Sequence, residues 1–144
     1  MQTSVENSVL SHTEMKIARE EDIFLVRRKA RDLAKERGFD TFAIAALTTA
    51  CSELARNAWV HGGGGGGDAV IEELDDGGRM GIRVSFRDQG PGISDVDRVL
   101  VGGFSTARSL GLGLSGTRRL VDEFSLDSGP GRGTRVVIVK WTRF

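Results

Sequence analysis

Glu53 and Asn57 lie four residues apart in the run Ser52-Glu-Leu-Ala-Arg-Asn57, which puts a carboxylate and a carboxamide one turn apart on the same side of a helix. A carboxylate so placed can accept a proton from an attacking hydroxyl. A carboxamide oxygen beside it is a suitable Mg²⁺ ligand when phosphates complete the shell. The competing reading is a solvated helix face with incidental polar residues. Further along, Asp88-Gln-Gly90-Pro-Gly92 follows a strand-like run. It reads as a surface turn, or as a carboxylate beside a glycine-opened cavity that accepts a hydrogen bond from an amino-purine. Gly111-Leu112-Gly113-Leu114-Ser115-Gly116 matches the dinucleotide pattern Gly-x-Gly-x-x-Gly, but the strand that should precede it is missing. What survives is backbone N–H groups at a helix start, turned toward an anion such as phosphate. Gly131-Arg132-Gly133-Thr134 reads by itself as a hairpin turn.

These residues need elements to hold them. Residues 1 to 12 are polar and without period, and are expected to be a disordered tail, followed by a short edge strand at Met15 to Ala18. Ile23, Val26, Ala30, Leu33 and Ala34 fall on one stripe and predict a helix over 21–37, ended by Gly38. A second helix over 41–60, capped by Asp40 or Thr41, carries Leu47, Ala50, Leu54 and Ala58 on one side and Glu53, Asn57 and His61 on a polar stripe. The six glycines 62–67 break it and read as a floppy connector. Strands are expected over 69–74, 80–86, 124–128 and 134–141, with a short helix near Ser94 and a third helix over 112–123. Helices first and strands later imply an α+β fold: a two-layer sandwich whose mixed, mostly antiparallel sheet has helices on one face. One domain is expected over 13–144.

Composition narrows the function. The chain has 144 residues, with 20 basic and 20 acidic side chains, so it lacks the net positive footprint of a nucleic-acid binder. No run reaches the ~20 apolar residues of a membrane span, and a cytoplasmic location is expected, with neither nucleic acid nor membrane as partner. One cysteine and two histidines make an internal disulfide impossible and a thiolate–imidazole zinc site unpromising. Twenty glycines against two prolines is the unusual figure, because the glycines are grouped between well-patterned elements rather than spread as in a linker.

Taken in order, Glu-x-x-x-Asn, Asp-x-Gly-x-Gly, Gly-x-Gly and Gly-Thr resemble the GHKL ATP-binding superfamily, the Bergerat fold of gyrase-type ATPases, Hsp90, histidine kinases and small anti-sigma-factor kinases. The resemblance covers roughly residues 14–142. Within the superfamily, SELARN, DQGPGI and GLGLSGTRRLVDEF look like the small serine/threonine kinases of the RsbT kind rather than RsbW or SpoIIAB. The resemblance implies ATP and Mg²⁺ as cofactors, Asn57 as the Mg²⁺ ligand and Glu53 as general base. It implies that Asp88 binds the adenine amino group with support from Thr134, and that Gly90 and Gly92 shape the adenine pocket. It assigns the phosphates to Gly111, Leu112, Gly113 and Leu114, with Ser105, Thr106 and Arg108 as weaker lid contacts. Arg27, close to the apolar stripe of the first helix, would contact the partner protein; the alternative is a snorkelling side chain at the stripe's edge. The six-glycine run departs from the family pattern, where a shorter turn is usual.

The expectation is therefore a bacterial protein-serine/threonine kinase acting on STAS-domain antagonists of a stress-signalling partner switch, with a downstream phosphatase as a further partner. Two competitors stay open: an RsbW-like anti-sigma factor that also sequesters a sigma factor, and a non-catalytic nucleotide-binding module. A base such as Glu53 is superfluous in the latter.

Overall fold

A computed structural model describes residues 8–62, 66–93 and 113–143. Strand β1 (Ser8–Ile17) is followed by helices α1 (Glu20–Glu36) and α2 (Thr41–His61). Strands β2 (Gly67–Asp76) and β3 (Arg79–Asp88) come next, then a short helix α3 (Leu114–Leu120), β4 (Glu123–Ser128) and β5 (Thr134–Trp141). The sheet order is β1-β2-β3-β5-β4. Every pairing among the described residues is antiparallel, so the mixed sheet expected from sequence is not mixed there.

The strands bury one face almost throughout, and Leu74, Val139 and Trp141 form a smaller buried cluster on the other. Ala69 and Ile71 of β2, Ile82, Val84 and Phe86 of β3, and Val136 and Ile138 of β5 pack against Ile23, Val26 and Ala30 of α1 and Leu47, Cys51, Leu54 and Ala58 of α2. Alternation of period two makes this possible, because the intervening residues, such as Glu72, Arg83 and Arg87, fall on the other face. There they form cross-strand pairs, with Arg83 donating to Glu72 at 2.8 Å and His12 at 3.1 Å from the same carboxylate. Cys51 is a core residue, as a small hydrophobe should be, and burial pushes its thiol up to about 12.

Helix ends follow their caps. Asp22 accepts from the backbone N–H groups of Ala18 and Arg19, which holds its carboxyl below the usual range. Asp40, rather than Thr41, caps α2 by accepting from Ala43 N at 2.7 Å.

Two further expectations need correction. The tail expected to be disordered to residue 12 is strand from Ser8, and β1 is ten residues long. Its inward positions include Ser11 and Thr13, so hydropathy does not reveal the alternation; pairing with β2 does. The third helix is shorter than expected: α3 stops at Leu120, and Glu123 already belongs to β4, where Asp122 N is held by Val139 O. The short helix expected near Ser94 lies outside the described residues.

A part-buried ion pair and a hydrogen bond tie β2 to the C-terminal cap of α1 and to β1. Glu73, 6% exposed, accepts from Arg37 Nε at 2.6 Å and from Ser11 Oγ at 2.5 Å. Burial alone would raise its pKa, but these donors outweigh it and hold the carboxyl low. The stabilisation is present above the ordinary glutamate range and is lost as pH falls through the depressed value. Arg37→Ala leaves this carboxylate buried without its guanidinium, and urea unfolding should show a loss of roughly 1–3 kcal/mol at neutral pH that shrinks in acid.

Candidate nucleotide and catalytic site

Helix α2 is the spine of the site. Glu53 and Asn57 are both partly buried on it, one turn apart, and His61 closes the helix one turn later. The polar stripe survives because the opposite side supplies the apolar contacts: Leu47, Ala50, Leu54 and Ala58 are all buried.

Two loops are drawn onto this helix by glycines. Gly113 precedes α3 with φ +59, and a Cβ there would stand 2.6 Å from Glu53 Oε2 and 2.7 Å from its Cδ. The start of α3 thus lies directly against the Glu53 carboxylate, a closeness only a residue without a side chain allows. Leu114 turns its side chain into the core, 3% exposed, so only its backbone is available to a ligand. Gly113→Ala combines a left-handed backbone with a clash on Glu53. It is expected to lower stability by about 1 kcal/mol or more, with a loss of turnover larger than the shift in melting temperature explains; kcat and thermal unfolding measured together check this.

At the other end of α2, a Cβ on Gly90 would meet His61 O at 2.3 Å and Asp88 Oδ1 at 3.1 Å, and one on Gly62 would meet Asp88 Cβ at 3.2 Å. The Asp88 turn is therefore seated on the end of the helix that carries Glu53 and Asn57. Asp88 Oδ1 accepts from Gly90 N at 2.9 Å, a tight local turn of the carboxylate onto its own loop. The glycine run is not a mere connector. A Cβ would lie 2.1 Å from Ala58 O at Gly62, 2.0 Å from Ile17 O at Gly66 and 2.1 Å from Arg87 O at Gly67. Those three residues let α2, β1 and β3 meet closely; Gly63, Gly64 and Gly65 lie outside the described residues.

Asp88 and Thr134 are cross-strand partners, and Thr134 is in turn opposite Ser128. Gly133 backs onto Asp88 O, and Gly92 onto Gly129 O. Ser128 joins the loops: its hydroxyl accepts from Ile93 N at 2.8 Å, donates to Gly133 O at 2.8 Å, and lies 2.9 Å from Thr134 Oγ1. Sequence reasoning does not single out Ser128. Its one signal is position, as the last residue of a strand beside the Gly129-to-Gly133 turn.

Burial raises the Asp88 pKa above the ordinary aspartate value, against the lowering effects of the Gly90 N–H and His61. An acid that holds its proton more tightly when folded loses stability as pH rises from its ordinary pKa through the raised one. Asp88→Asn should remove that slope from a stability–pH profile. If the carboxylate accepts an adenine amino hydrogen, the same variant weakens ATP about tenfold or more but leaves inorganic triphosphate unchanged; calorimetry with both ligands checks it.

Glu53, Asn57, Asp88, Gly90, Gly92, Gly113, Leu114 and Thr134 thus fall around one end of the sheet and the C-terminal half of α2. Arg27 does not join them. It is exposed on α1, and its side chain is not drawn into the apolar stripe. Ser105, Thr106, Arg108, Gly111 and Leu112 lie outside the described residues. The arrangement can do what phosphoryl transfer asks of a protein, which is mainly positioning and charge. A carboxylate lies against a glycine turn at a helix start, a carboxamide is one turn away, and a half-buried acid stands at the far end. That donor set, of hard oxygens with no thiol or imidazole cluster among the described residues, suits Mg²⁺ completed by phosphate.

Residues 43–143 match the family described as histidine kinase-, DNA gyrase B- and HSP90-like ATPases. The chain is 46% identical to the serine/threonine-protein kinase RsbT of Bacillus subtilis (strain 168) over 129 residues, 90% of this chain and 96% of that one. It is 31% identical over 102 residues to an anti-sigma F factor of Thermoanaerobacter sp. (strain X514), covering 68% of this chain and 70% of the relative. Among solved structures, the RsbU and RsbW domains of Rv1364c from Mycobacterium tuberculosis share the fold at a TM-score of 0.60 and 23% identity, over 90% of this chain and 31% of that longer one.

Proposed function

Because the chain belongs to the histidine kinase-, DNA gyrase B- and HSP90-like ATPases and is a serine/threonine kinase of that family, we propose that it moves the γ-phosphoryl group of ATP, with Mg²⁺, onto a hydroxyl of a STAS-domain partner in a bacterial stress-signalling switch. The observation that carries the reading is the seating of Gly113 on the Glu53 carboxylate, on the same helix as Asn57.

Each residue then has a task. Glu53 takes the proton of the attacking serine or threonine hydroxyl as its oxygen bonds to the γ-phosphorus; the bond to the β–γ bridging oxygen breaks, and ADP leaves. Asn57 would hold Mg²⁺, whose chemistry there is to neutralise charge on the phosphate oxygens. The phosphates are assigned to backbone N–H groups at Gly113 and the start of α3, and the family resemblance would add Gly111, Leu112, Ser105, Thr106 and Arg108 as further phosphate contacts. Asp88 accepts from the adenine amino group, Thr134 supports it, and Gly90 and Gly92 leave room for the ring. Arg27, exposed on α1, would meet the partner protein. The action belongs to the cytoplasm; among the described residues no helix is long and apolar enough to cross a membrane.

Transfer of label from γ-labelled ATP to a purified STAS-domain protein tests the reading, and its absence under Mg²⁺ overturns it. The relative named as an anti-sigma F factor supports a second reading, in which the same chain also sequesters a sigma factor. Affinity capture from native lysate separates the two: a sigma subunit marks the second, a STAS assembly or a phosphatase the first.

A further inference from the structure

A groove of about 740 Å³ opens outside the site just described. It lies beside the N-terminal turns of α2, the last residues of α3 and the end of β5. Because α2 rises ~1.5 Å per residue, Phe42 in its first turn is about 16 Å along the axis from Glu53. Glu53, Asn57 and Asp88 are not among the residues that line the groove.

Its lining is unusual in two ways. Phe42, in the first turn of α2, is 86% exposed, the most exposed large apolar side chain among the described residues, with Ala43, Ala46 and Leu120 forming the apolar wall near it. A helix does not require this: the neighbouring core residue Phe39 is 6% exposed and already closes the end of the core. The charge is also unbalanced. Four cationic residues line the groove against two acidic ones. Both acids have tasks within the fold, Asp40 capping α2 and Asp122 accepting from Trp141 N at 2.7 Å. Arg37 is held by Glu73, and Lys140 stands 3.7 Å from Asp122. Arg119 and Arg143 are exposed and form no ion pair with a described residue.

We propose that this groove docks an acidic segment of a partner protein, with Arg119 and Arg143 pairing its carboxylates and Phe42 covered by one of its apolar side chains. Exposed aromatic and arginine side chains at one spot are what protein interfaces concentrate at their centres. The apolar wall and the two aspartates suit a peptide better than a polyphosphate backbone. Guanidinium groups also pair carboxylates through two parallel hydrogen bonds, which fixes the register of the docked segment. The inference stands on the groove itself and does not need the kinase reading to be right.

Photo-crosslinking in the cells that make the chain, with p-benzoylphenylalanine in place of Phe42, tests it. The exposure of Phe42 makes the replacement harmless to folding, which circular dichroism verifies. The expected result is an adduct with one other protein, whose cross-linked peptide carries net negative charge. That adduct should fall about tenfold or more in Arg119→Glu with Arg143→Glu, while affinity for an ATP analogue is unchanged. An adduct to a second copy of this chain, to a neutral or basic segment, or to nucleic acid overturns the proposal. So does the lack of any adduct, or one that survives the charge reversal.

Discussion

Glu53→Gln is expected to cut phosphoryl transfer by about 10²–10⁴-fold, the usual worth of a positioned general base, while affinity for a non-hydrolysable ATP analogue stays within about twofold. The substitution keeps the size of the side chain and its seat against Gly113, where a Cβ would be only 2.6 Å from Oε2, so the Gly113 turn should not move. What it removes is the ability to accept the hydroxyl proton. Single-turnover transfer to a STAS-domain substrate, measured beside analogue binding, separates base from binding residue. Transfer at the wild-type rate denies Glu53 the role; a matched loss of binding makes it a structural contact instead.

Asn57→Ala should have a comparable effect by a different route. A hard cation such as Mg²⁺ needs oxygen donors, and loss of one protein donor weakens metal binding by at least the ~10–100-fold seen when a supporting partner is removed. ATP affinity in Mg²⁺ should therefore fall by at least about tenfold, while affinity in excess chelator is nearly the same as wild type. Calorimetry under both conditions reads the difference directly. A variant that binds Mg²⁺–ATP normally has no use for this carboxamide as a ligand.

Both predictions rest on a spacing visible in the amino-acid sequence itself, because a helix converts a separation of four into a shared face and α2 is a helix over that whole stretch. The strands are equally legible where one face is apolar, as in Ile82, Val84 and Phe86. β1 is half hidden, since Ser11 and Thr13 occupy inward positions that hydropathy scores as outward. The long-range contacts are not legible at all. No local rule says that Gly62 lies beside Asp88, or that Ser128 reaches Ile93, Gly133 and Thr134 together. These follow from strand register and helix placement, which are settled by the whole core rather than by a window of sequence. The glycine run shows the same limit: composition suggests slack, while Gly62, Gly66 and Gly67 are packed against backbone on three elements. Periodicity puts Arg27 at the edge of the apolar stripe, and the fold leaves it exposed on α1, where another protein can meet it.

One nucleotide is expected to bridge the Asp88 turn at the end of α2 and the Gly113 turn against Glu53. A crystal structure of the chain with Mg²⁺ and a non-hydrolysable ATP analogue tests it most directly. The adenine amino group is expected on Asp88, the cation on Asn57, and the terminal phosphate between Glu53 and the Gly113 turn. An analogue bound elsewhere, or one whose phosphates point away from Glu53 and Asn57, would contradict it.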